Sequence, residues 1–151
     1  MRSRFLLTLL ISLTWCVSAD ADTDFEEKCL FPGIENTEES PLDWQKIRFL
    51  EELDFCLLAK AKQLADPDKL VQWMGENGFR MSRPIPYSRN IMKTSYHYDG
   101  EGILVGGSIR KEDFKWNIHP LRTFSAYSLS SGILLKDDGD PISAHSVLNT
   151  K

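Results

Sequence analysis

Hydrophobic positions recur at three- and four-residue spacing through the first half of the chain and at every second residue through much of the rest. Leu42, Phe49, Leu50, Leu53, Cys56, Leu57 and Leu64 fall on one face of a helical wheel, the signature of a core-facing stripe. Ser40, Pro41, Leu42 and Asp43 ahead of it form a helix start: a capping Ser, a Pro at the first helical position and an acid two residues later. The pattern predicts one long helix ending near Leu64. Its other side carries a second apolar stripe, Trp44, Ile47, Phe55 and Leu58, so this helix is expected to have two neighbours. One is the core; the other is the amino-terminal arm, the second helix or a partner protein.

Asp66, Pro67 and Asp68 repeat the start signal, and a short helix through Leu70, Val71, Trp73 and Met74 should stop at Asn77 and Gly78, which suit a left-handed cap. Beyond Gly78 the period shortens towards two. Phe79, Met81 and Ile85, then Met92, Thr94, Tyr96 and Tyr98, read as strands, with Pro84 and Pro86 confining the first to an edge. Ile103 to Ile109 follows the Asp99 to Gly102 turn, and Phe114, Trp116 and Ile118 alternate again. Gly132 to Leu135 and Ile142 to Leu148 flank Asp137, Asp138, Gly139 and Asp140, a hairpin turn. Helices followed by strands predict an α+β fold, with two amino-terminal helices packed on one face of an antiparallel sheet of four or five strands.

The amino terminus departs from this pattern. Arg2 and Arg4 precede an apolar run from Phe5 to Trp15, and Val17 and Ala19 supply the small residues of a cleavage site. Residues 1–19 are therefore expected to be a secretory signal peptide, 20–40 an acidic arm docked through Cys29, Leu30 and Phe31, and 41–151 a single domain. The run is too short to span a bilayer, and no transmembrane segment is expected. Trp15 ahead of Cys16 is too bulky for a lipidation site. Cleavage would move the net charge from -4 to -6 and leave two cysteines, Cys29 and Cys56. In an oxidising destination they are expected to form one disulfide. The chain reads as exported, periplasmic or secreted.

Charge divides along the chain. Residues 20–77 carry 15 acids against 6 bases, whereas residues 78–125 carry 8 bases against 4 acids. Arg and aromatic side chains are the enriched anchors of protein interfaces. Arg80, Arg83, Tyr96, Tyr98, Arg110 and Trp116 in the basic half, with Trp44, Phe55 and Leu58 on the second helical stripe, are thus the candidate partner-binding residues. Stacking on nucleic acid would use similar residues, but export to a compartment poor in nucleic acid argues for a protein partner and against nucleic acid.

No catalytic, cofactor or metal motif accompanies these residues. Ser108 sits in Gly-Gly-Ser-Ile-Arg, which lacks the second glycine of a nucleophile elbow. Gly100, Gly102 and Gly106 miss the dinucleotide fingerprint by one position. His97, His119 and His145 lie too far apart for a local metal pair, and Asp137, Asp138 and Asp140 lack the ligands of a calcium loop. The expected function is an exported binding module of inhibitor, immunity or envelope-assembly type, working without a cofactor. The alternative is a hydrolase acting on an envelope or extracellular substrate, its site assembled from distant residues.

Overall fold

The first predicted helix begins later than its sequence signal. The computed structural model describes residues 25, 28–30, 39–87, 96, 98–113 and 126–150, and in it helix α1 runs over Leu50–Leu64. Ser40 to Asp43 are held extended by distant partners instead. The Leu42 N–H donates to Asn77 Oδ1 at 2.7 Å, the Asp43 N–H donates to the Cys29 carbonyl at 2.8 Å, and Leu30 bridges Leu42. The Asp43 carboxylate then caps a local turn by accepting the Gln45 N–H at 3.1 Å. A phenyl group cannot cap a helix, so at Phe49 the work falls to Glu52, whose carboxylate accepts the main-chain N–H groups of Arg48 at 2.6 Å and Phe49 at 3.1 Å. Phe49, expected in the core, is consequently 52 % exposed.

Helix α2, Pro67–Glu76, starts where the pattern placed it. Asp66 Oδ1 accepts the N–H groups of Asp68 and Lys69, and Pro67 occupies the first turn, where its missing N–H costs nothing. Asn77 closes the helix, and Gly78 follows with φ +92°, a conformation that favours glycine. The indole of Trp73 donates to the Ser40 carbonyl at 2.9 Å, fastening this helix to the segment ahead of α1.

Among the described residues five antiparallel strands follow: β1 Arg80–Met81, β2 Ile85–Tyr87, β3 Gly102–Arg110, β4 Ala126–Leu135 and β5 Pro141–Thr150. Their order is β1-β3-β4-β5, with β2 also pairing β3. The turn after β4 uses Gly139 at φ +87°, tucked so closely beneath the Ala65 carbonyl at the end of α1 that a Cβ there would sit 2.8 Å from that oxygen. The expected strand around Met92 and the one through Phe114, Trp116 and Ile118 fall mainly or wholly outside the described residues, as do residues 1–24 and Phe31.

Register sets the core. Val105 pairs with Ile133, Ile109 with Leu129, and Leu129 with Leu148, so alternate residues of three strands face the helices. Leu53, Cys56 and Leu57 of α1 and Leu70, Trp73 and Met74 of α2 meet them, all buried. Each such Leu contributes about 1.5–3 kcal/mol by leaving water. A disulfide joins Cys29 to Cys56 with Cα atoms 5.6 Å apart, and Cys29 and Leu30 are buried as expected. Among the described residues no helix is long and apolar enough to cross a membrane.

The edge strand β5 carries no Asp, Glu, Lys or Arg of its own to discourage pairing with another chain. Helix α1 packs principally along this strand, with Asp54 beside Ser146.

Candidate functional site

The delayed start of α1 creates a concavity. Because the chain turns through residues 43–48 before entering the helix, Phe49 and Phe55 are left outside the core at the mouth of a groove of about 700 Å³. Lys28, Gln45, Lys46, Arg48, Glu51, Glu52 and the disulfide-bonded Cys56 complete its lining. Phe55 is 40 % exposed, and the Lys28 ammonium stands 5.7 Å from its ring centroid, within cation–π range. The disulfide pins the Lys28 wall to the Phe55 wall, so the two sides of the groove are covalently tied.

Its charged groups differ in what they already hold. Lys46 Nζ donates to the Leu30 carbonyl at 2.7 Å and lies 4.0 Å from Asp43, while the Glu52 carboxylate is engaged at the helix start. The exposed Arg48 guanidinium makes no ion pair or hydrogen bond among the described residues. A volume of this size, two accessible rings and an available guanidinium are the equipment of a recognition site.

The sequence candidates are not gathered in one place. Phe55 lines the groove, and Leu58 on the same helix is half-buried. Trp44 turns inward, its ring 5.9 Å from that of Phe79. Arg80 pairs with Asp113 at 3.3 Å and Arg110 with Glu112 at 3.6 Å, so both cations are matched by acids of the short 3-10 turn Lys111–Asp113. Arg83 is exposed. Tyr96 and Tyr98 close around buried Tyr87, whose hydroxyl donates to the Tyr96 carbonyl at 3.0 Å. Trp116 lies outside the described residues.

A polar network fills the space between α1 and the sheet. Ser131 and Ser146 share a hydrogen bond of 2.8 Å between their buried hydroxyls, and Asp54 lies beside Ser146. Burial raises the Asp54 carboxyl above the ordinary 3.8, against lowering contributions from Ser146 and from His145, and its Oδ1 is buried without a partner. Serine, carboxylate and histidine are the ingredients of a hydrolytic triad, but the connections are not those of one. The carboxylate lies beside the serine with no imidazole between them, and adjacent residues of a strand point to opposite faces, so His145 lies across the sheet from Ser146. Tyr96 packs there against His145, at 6.3 Å between ring centroids, and its hydroxyl occupies the space over Gly132 where a Cβ would otherwise stand. Among the described residues no group of three His, Cys, Asp or Glu could hold a metal.

Sequence reading missed Arg48 and Phe49 as site residues because it placed them inside the helix. It also missed Lys60, which is fully buried with its ammonium 5.1 Å from the Trp73 ring centroid, 6.0 Å from that of Phe25 and 3.0 Å from Gln63 Oε1. Lysine is so seldom fully buried that residue type alone gave no signal. No protein-family model, curated protein or solved structure matches the chain.

Proposed function

We propose that this protein is an exported binding module that acts by engaging another protein, of the kind used in inhibition, immunity or envelope assembly. The single observation that supports this most is the groove at the start of α1, where Phe49 and Phe55 stand exposed on walls tied by the Cys29–Cys56 disulfide. About half of each ring is still in water, and covering it would return about 1 kcal/mol apiece, a driving force that a partner can use. A covalently pinned, preformed groove also loses little freedom on binding. The export reading is supported by the signal-like amino terminus and by the disulfide, which persists in oxidising compartments.

The test is comparative capture from the exported proteins of the source cell. Oxidised wild-type protein and a Tyr127→Ala control should retain the same partner, because Tyr127 is exposed on β4 and does not line the groove. The Phe49→Ala, Phe55→Ala double variant should lose it while keeping its fold. Equal retention by all three would remove the groove from the account.

A further inference from the structure

We infer that the groove takes an extended segment of a partner protein in which a carboxylate lies close to an aromatic or large aliphatic side chain. This assignment of partner chemistry rests on the binding-module reading above.

Charge carries the first half of the inference. Lys28, Lys46 and Arg48 outnumber Glu51 and Glu52 in the lining, although the chain as a whole has a net charge of -4. The groove also lies at the first turn of α1, whose aligned peptide dipoles add about half a positive charge at that end. One carboxylate, Glu52, is turned onto the Arg48 and Phe49 main-chain amides. Asp43 answers Lys46 at 4.0 Å, so the cation left to an arriving carboxylate is Arg48.

Geometry carries the second half. Arg48 is the rim cation whose guanidinium makes no hydrogen bond or ion pair among the described residues, and a planar fork of this kind suits a carboxylate held by two parallel bonds. Phe49, its neighbour in sequence, and Phe55, further along α1, present apolar surface in the same groove. A ligand that satisfies both needs an acid and an apolar group a short distance apart. A purely basic segment would meet the cationic rim, and a purely apolar one would leave the guanidinium without a partner.

A displayed library of random peptides, panned against the folded, oxidised full domain, tests this directly. Selected peptides are then measured against wild type, Phe55→Ala and Arg48→Met, with circular dichroism confirming that each variant is folded. The Arg48→Met change leaves the main-chain amide that caps α1 in place. The expected result is enrichment of Asp or Glu beside an aromatic or large aliphatic residue, with affinity falling about tenfold or more in Arg48→Met and also lost in Phe55→Ala. Peptides that depend on Phe55 but show neither acid enrichment nor sensitivity to Arg48→Met would overturn this inference and leave the groove as the binding site. Finding no peptide that depends on Phe55 would overturn both.

Discussion

The Asp54 carboxyl in the middle of α1 lies beside Ser146 of the edge strand β5, whose hydroxyl and main-chain amide both favour its ionised form. The cost of burying this carboxylate exceeds what Ser146 and His145 return, so its proton is held more tightly in the folded chain than in the unfolded one. A folded-state value above the unfolded one means that stability is greatest at acid pH and falls as pH rises from about the ordinary 3.8 through the raised value. Asparagine is the neutral isostere of the protonated form and brings no charge to bury. Asp54→Asn should therefore melt at a higher temperature than wild type at neutral pH, with the difference shrinking towards about pH 3. A difference that stays constant across that range would show that Asp54 titrates alike in both states.

The Cys29–Cys56 link closes a sequence separation of 27 residues between the amino-terminal segment and α1. Chain-entropy arguments give such a loop about 3–4 kcal/mol of stabilisation. A Cys29→Ser, Cys56→Ser double variant should lose that amount in urea unfolding, because both sulfurs are buried against the core. A loss below about 1 kcal/mol would mean that the amino-terminal segment constrains the unfolded chain little.

Tyr96 packs between the Tyr87 ring and His145, and burial, with Asp54 and then Tyr87 adding to it, pushes its phenol up to about 12 from the ordinary 10.0. Folding therefore resists ionisation there, and stability should fall as pH rises from about 10 towards 12. Phenolate absorbance should show a late titration step, and Tyr96→Phe should remove it. Survival of the late step in Tyr96→Phe would assign it to another tyrosine.

Elements whose instructions are local were legible in the sequence. The Asp66-Pro67-Asp68 start, the Asn77-Gly78 stop and the Gly139 turn each act within a few residues, and each stands where the pattern put it. The α+β layout followed from the change of hydrophobic period, and the disulfide from cysteine arithmetic. The start of α1 was misread because Ser40, Pro41 and Asp43 carry an equally good local signal that distant groups override. Asn77 Oδ1 and the Cys29 carbonyl, 35 and 14 positions away in the chain, claim the N–H groups of Leu42 and Asp43. That displacement of the helix start put Phe49 in water and formed the groove. In the sequence Arg80 and Arg110 stand as available charges, whereas their acids, Asp113 and Glu112, belong to the 3-10 turn after β3 that no periodicity announces.

Site-specific photocrosslinking tests the central claim most directly. A benzoylphenylalanine placed at Phe55, and in a separate protein at the comparably exposed Tyr127, is irradiated in the compartment where the protein is folded and oxidised. The account predicts a discrete covalent adduct with a partner protein from Phe55 and none from Tyr127. The same adduct from both positions, or none from Phe55, would contradict it.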